Sequence, residues 1–333
     1  MIHSLAKPPA LKTGGEVRVI SLSSPVHESK LRRGCDELER LGYRPSLDRY
    51  ALARDGFFAG SIENRTAALR EALGGSSEAI FCSRGGYGSS YLLDSPALQS
   101  IGGAATPGPA EKARGPKVLV GFSDITSLQI FLWQRFSWVT FYGPMVAAAL
   151  DAGPDQPGGY ESNSFRRALT ETSAGWTLDL GGEAILGGET EGRILGGCLT
   201  MVEATLGTPW ELDTSGAILL LEDRAMKPFQ VDRGLMHLKQ AGKLAGVRGI
   251  ILGDFPESEA QAGGESVRDA AERVLKGLGI PVVWGVPIGH TARPMLTVPL
   301  GVQAHLSASG QGRLQLLEAA CVKSPDEQKG ART

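Results

Sequence analysis

Three polar side chains in this 333-residue chain, a serine, a carboxylate and an imidazole, follow apolar runs, at places where strand ends would present them. Ser123 follows Val118-Leu-Val-Gly-Phe122 and precedes Asp124-Ile-Thr-Ser-Leu128. A β-branched run, a glycine and then apolar residues at helical spacing predict a strand turning sharply into a helix, with a hydroxyl at the corner. Two readings fit that corner. Ser123-Asp124 is a helix N-cap pair, or Ser123 is a nucleophile on a strained elbow of the G-x-S-x-G kind, with Gly121 in place and Ile125 where the second glycine would be. Glu222 follows Ala217-Ile-Leu-Leu-Leu221, so a carboxylate ends a strand that should be buried and must find partners there. Those partners are backbone N–H groups in a structural reading and a histidine in a catalytic one. His290 closes Pro287-Ile-Gly-His290 after the apolar stretch Val282-Val-Trp284, a loop position from which an imidazole reaches a cleft.

The chain order serine, acid, histidine is also that of α/β-hydrolase triads. In such a set the imidazole takes the serine proton and returns it to the leaving amine, while the carboxylate fixes the tautomer and stabilises the imidazolium. Of the remaining histidines, His27 follows the first strand and is a candidate to line a site; His3, His237 and His305 read as structural or exposed. Asp223, Arg224, Asp232 and Arg233 read as local ion-pair formers. Cys82 also ends a strand, but no acid and base accompany it in the sequence, so a buried thiol is the better account.

The elements that must carry these residues alternate. Glu16 to Ile20 reads as a strand, Glu28 to Leu41 and Ile62 to Leu73 as helices, and Ala79 to Cys82 as a strand running into the loop Arg84-Gly-Gly-Tyr-Gly88. Alternation of this kind predicts an α/β domain with a mainly parallel sheet and ligands outside the carboxyl ends of its strands. The second half shows short glycine-bounded strands around 183–186, 191–195, 217–221, 249–252 and 281–284, with helices at 198–206 and 231–241. It reads as a smaller α+β or barrel-like unit. A Gly/Ala/Pro-rich insertion at 95–116 has the composition of a surface loop, and a polar tail from Lys323 that of a disordered end.

Composition excludes several classes. A net charge of -2 gives no footprint for nucleic acid or an anionic membrane. No 18-residue apolar span accumulates. Four scattered cysteines form neither a disulfide framework nor a zinc motif, and with no secretory pattern at the start the expectation is a cytoplasmic protein. Glycine is about twice its usual ~7% share at 45 residues, which implies tight turns and close backbone approach. A non-catalytic module cradling a phosphate in the glycine loop is a competing reading, but no Walker or dinucleotide fingerprint supports it.

Four blocks, Ser83-Arg-Gly-Gly-Tyr-Gly88, Gly121-Phe-Ser-Asp-Ile-Thr126, Leu219-Leu-Leu-Glu-Asp223 with Asp232-Arg233, and Gly289-His290-Thr291, resemble the LD-carboxypeptidases, or murein tetrapeptide carboxypeptidases. The resemblance implies an α/β fold with an N-terminal Rossmann-like domain (1–165) carrying the nucleophile Ser123. It implies a β-rich C-terminal domain (166–333) carrying the acid Glu222 and the base His290. It further implies an oxyanion hole from the N–H groups of Gly86 and Asp124, a homodimer without cofactor or metal, and release of terminal D-alanine from murein tetrapeptides during cytoplasmic wall recycling. The chain departs from the family pattern in the 95–116 insertion and around Arg293, where an asparagine is usual. A sister group of microcin C-type immunity peptidases, which cleave peptidyl nucleotides, is the alternative within the same fold.

Overall fold

The computed structural model describes residues 4–95, 98, 115–258 and 264–324. Nearly all of the 95–116 insertion, the end of the polar tail and His3 lie outside the described residues.

The first sheet is built from β1 (Glu16–Ile20), β2 (Arg44–Leu47), β3 (Ala79–Cys82), β4 (Val118–Gly121) and β5 (Thr140–Tyr142), all parallel. Its order is β2, β1, β3, β4, β5, the mark of a Rossmann-like sheet in which the chain switches direction at β1 and β3. The strands β3 and β4 are buried at every position, as continuous apolar runs should be when helices cover both faces. Helices Glu28–Arg40, Ile62–Gly74 and Thr126–Phe136 supply the crossovers.

The second sheet gathers β6 (Thr177–Asp179), β7 (Glu183–Leu186), β8 (Gly188–Cys198), β9 (Ala217–Glu222), β10 (Gly249–Gly253), β11 (Val282–Val286), β13 (Gln303–Ala308) and β14 (Arg313–Leu316), with β12 (Val298–Leu300) placed elsewhere. Its order is β6-β14-β13-β8-β9-β10-β11-β7. The continuous stretch 177–186 pairs with β14 at one edge and β11 at the other, and its N–H groups at Leu180, Gly182 and Ala184 reach the 310–312 turn, so the sheet curls toward a barrel. The helices read from the sequence at 198–206 and 231–241 are present as Leu199–Ala204 and Pro228–Gln240. The strands β8 to β11 are parallel, and helices Pro228–Gln240 and Val267–Leu275 are crossovers among them.

Two features join the halves. Strand β12, from the end of the chain, pairs antiparallel with β5 and completes the first sheet. The helix Ser162–Thr170 runs across position 165, and its Phe165 meets Phe81 of β3 edge-on.

Candidate active site

The strand ends of the first sheet converge on Ser123. The corner is not a capped helix start: Ser123 adopts φ 62 at the head of a short 3-10 turn, and neither it nor Phe122 makes a side-chain cap. A non-glycine residue in the left-handed region costs roughly 1–2 kcal/mol, held here by the surrounding contacts. Gly121 explains why an isoleucine is tolerated at 125, since a Cβ on Gly121 would lie 2.8 Å from Ile125 Cγ2. The first glycine makes room for the isoleucine side chain, and strand and helix pack closely without a second one.

Asp124 does not assist the helix start as its place in a Ser-Asp pair predicts. Its carboxylate is buried and bonded outward, accepting from Ser23 Oγ at 2.5 Å and from Ser89 N at 2.8 Å, while Ser89 Oγ donates to its carbonyl at 2.5 Å. The elbow is thereby tied to the loops that follow β1 and β3. Buried Arg65 reinforces the same junction, donating to Leu22 O at 2.9 Å and Gly88 O at 2.6 Å. Gly85 lies against the serine, because a Cβ there would sit 2.9 Å from Ser123 Oγ. Gly86 takes φ 119, a conformation open to glycine. Among the described residues its N–H has no protein acceptor, and the N–H of Asp124 lies in a first helical turn, where none is built in.

The second sheet supplies the acid and the imidazole. Glu222 is fully buried at the end of β9. One of its oxygens, Oε2, accepts from His290 N at 2.8 Å and lies 2.9 Å from His290 Nδ1; the other accepts from the Tyr142 hydroxyl. A carboxylate only accepts, so Nδ1 carries the proton and Nε2 is left as the basic nitrogen. Gly289 makes the approach possible: at φ 59, a Cβ there would fall 2.3 Å from Glu222 Cδ. Phe122 presents its ring edge-on to His290, with centroids 5.2 Å apart, which limits how that imidazole can turn.

A cavity of about 860 Å³ lies between the two sheets and is lined by Ser123, Asp124, Gly85, Gly86 and His290, with Glu222 behind the imidazole. The residues anticipated from the sequence, Ser123, Glu222, His290, Gly86 and Asp124, therefore meet at one place. Among the described residues no hydrogen bond joins Ser123 Oγ to His290; such contacts are often longer in a ligand-free site and tighten with substrate. His27 also lines the cavity, whereas His237 is bonded to Glu203 and His305 faces Glu189. Asp223 corrects an expectation: among the described residues it forms no ion pair but accepts from Thr200 N and Oγ1, while Arg224 pairs with Glu257 and Asp232 with Arg273. Cys82 is fully buried, and burial pushes its thiol up to about 12, so it is no nucleophile at neutral pH. The residue that sequence reasoning missed is Tyr142, which ends the three-residue strand Thr140–Tyr142, too short a run to carry a signal.

Residues 17–143 match the LD-carboxypeptidase N-terminal domain and residues 191–306 its C-terminal domain. The chain belongs to the LD-carboxypeptidase family. Relatives span almost its whole length. A probable murein peptide carboxypeptidase of Bacillus subtilis is 32% identical over 309 residues, covering 91% of this chain and 92% of the relative. A putative carboxypeptidase of Streptomyces coelicolor is 35% identical over 312 residues, covering 92% and 95%. Among solved structures, the muramoyltetrapeptide carboxypeptidase of Oxalobacter formigenes has a TM-score of 0.75 at 27% identity, over 90% of this chain and 99% of that one. The microcin C7 self-immunity protein MccF of Escherichia coli has a TM-score of 0.80 at 24% identity, over 94% and 99%, which establishes a shared fold. Membership makes this chain a peptidase of the carboxypeptidase type. No helix among the described residues is long and apolar enough to cross a membrane.

Proposed function

We propose that this family member is a serine LD-carboxypeptidase that releases terminal D-alanine from murein tetrapeptides through Ser123, His290 and Glu222. The observation that carries the reading is the buried Glu222 carboxylate gripping both N and Nδ1 of His290, across one cavity from a serine on a left-handed turn. In the reaction, His290 Nε2 takes the Ser123 proton as Oγ bonds to the carbonyl carbon of the penultimate residue. The resulting oxyanion is met by the N–H groups of Gly86 and Asp124. Loss of one such donor typically costs about 10²–10³ in turnover. The C–N bond then breaks, His290 hands its proton to the departing D-alanine amine, and water, activated by the same imidazole, frees the acyl group and restores the serine.

One cation in the cavity, Arg84, suits a substrate with a free carboxylate. Lys30 faces Asp151 and Arg224 pairs with Glu257, whereas Arg84 donates to the carbonyls of Gly85 and Pro25 and, among the described residues, meets no carboxylate within ion-pair distance. A guanidinium so placed offers remaining N–H donors to a terminal carboxylate. The reading extends to a homodimer working in cytoplasmic wall recycling, with the chain dividing into functional halves near residue 165.

The test is an assay of the purified protein on a muramyl tetrapeptide, a pentapeptide and a peptidyl nucleotide, scored for the amino acid released. Tetrapeptide turnover that Ser123→Ala abolishes without loss of fold supports the reading. Unchanged turnover in that variant removes serine catalysis, and cleavage of the nucleotide conjugate alone selects an immunity peptidase instead.

A further inference from the structure

One of the links between the two halves of the site is a buried hydroxyl. Tyr142 ends β5 in register with Gly121 of β4, two residues before the serine. Its side chain is completely buried. The phenol donates to Glu222 Oε1, which comes from the other sheet, and accepts from the backbone N–H of Ser123 at 3.4 Å. Gly197 permits this meeting, since a Cβ there would lie 3.0 Å from the Tyr142 ring and 2.6 Å from Thr126 Cγ2. A phenol is suited to the position because it can donate in one direction and accept in another at once.

We propose that Tyr142 is a positioning residue of the reaction: its hydroxyl holds Glu222 as the anion that orients His290, and the same oxygen steadies the left-handed turn that presents Ser123. The inference rests on the triad reading above and adds a fourth participant, which touches neither substrate nor the reacting atoms. Among the described residues Glu222 accepts three hydrogen bonds, from His290 N–H, His290 Nδ1–H and Tyr142 O–H. Burial, with the neighbouring Glu222 charge adding to it, pushes the phenol well above its ordinary value, so it remains a donor through the working pH range.

The Tyr142 hydrogen bond stabilises the Glu222–His290 pair in its less protonated form, so removing it raises the proton affinity of the pair. The other ionisable groups near the pair are Cys198 and Asp223 on its Glu222 side, and Glu257 with its partner Arg224 on its His290 side. Beyond Thr291 lies Asp254 with its partner Arg293. All of these are unchanged by a substitution at 142.

The experiment compares wild type, Tyr142→Phe and Ser123→Ala for D-alanine release from pH 5 to 9. Tyr142→Phe is expected to lower kcat by about tenfold to a hundredfold, leave KM within about twofold, and move the acid limb of kcat/KM up by roughly half to one pH unit. Site-specific 3-fluorotyrosine at 142, which keeps the hydroxyl and makes it a stronger donor, should move the acid limb the opposite way. It also serves as the decisive variant if Tyr142→Phe does not fold. Ser123→Ala retaining wild-type turnover overturns the triad and this inference with it. An inactive Ser123→Ala beside an unmoved acid limb in the position-142 variants overturns the role of Tyr142 alone.

Discussion

Replacing Glu222 by glutamine exchanges a carboxylate for a neutral group of the same size, at a point where the partners among the described residues are His290 and Tyr142. The carboxylate serves three donors, two from His290 and one from Tyr142. An amide offers one acceptor oxygen and one NH₂ group. If its oxygen faces His290, the Nδ1–H tautomer survives but its hydrogen bond loses the charge. Hydrogen bonds to charged groups contribute about 1.5–3 kcal/mol, which at about 1.36 kcal/mol per decade is roughly 10- to 150-fold in rate. If its nitrogen faces His290, two donors confront a third, and the imidazole must place its proton on Nε2. The base is then blocked, and the loss approaches the ~10⁴ associated with a wrong tautomer. Glu222→Gln should therefore lower kcat/KM by about 10- to 10⁴-fold, and the position within that range reports which way the amide points. D-alanine release coupled to a D-amino-acid oxidase measures it, with a melting curve to establish folding. A folded variant within about threefold of wild type would return Glu222 to the role of a buried strand-end acid.

Gly289→Ala should cost about 2–4 kcal/mol of stability, from overpacking against Glu222 and from a left-handed backbone, whereas Gly207→Ala, at φ 73 with nothing within 4 Å, should show the backbone part alone. Equal denaturation midpoints for the two variants would contradict the contact with Glu222. On the acid side, Glu37 titrates below its ordinary value of 4.5: burial alone would raise it, but hydrogen bonds from Arg40 and Tyr160 outweigh that. A lowered carboxylate contributes stability above its unfolded value and loses it as pH falls through the folded one. Wild type should lose stability below about pH 4.5 more steeply than Glu37→Gln in acid denaturation, and superimposable curves would show that this cluster contributes nothing.

Much of the site was legible in the sequence because strand ends are. Buried parallel strands show up as unbroken apolar runs, and a polar residue ending such a run has to lie at the sheet's carboxyl edge, so Ser123, Glu222 and the Gly85-Gly86 loop could be located without coordinates. The family blocks assigned roles to them. Other features depend on residues far apart in the chain. Asp124 reads as a helix cap because local spacing reveals only local partners, and its true partners, Ser23 and Ser89, are brought by two other strands. The second half reads as α+β with helices at 198–206 and 231–241, but the helix Val267–Leu275 is short and comes after a polar stretch, which hides the parallel pairing of β10 with β11. Tyr142 sits in a three-residue strand too short to signal itself. Whether its hydroxyl is an idle buried group or a link between serine and acid depends on strand ends of two sheets meeting. By itself the sequence determined which residues end strands, because burial of an apolar run is written in the run. Only the tertiary structure decided which ends meet, because hydrogen-bond geometry at Glu222 is set by glycines, at 197 and 289, whose lack of a side chain matters only once something is pressed against it.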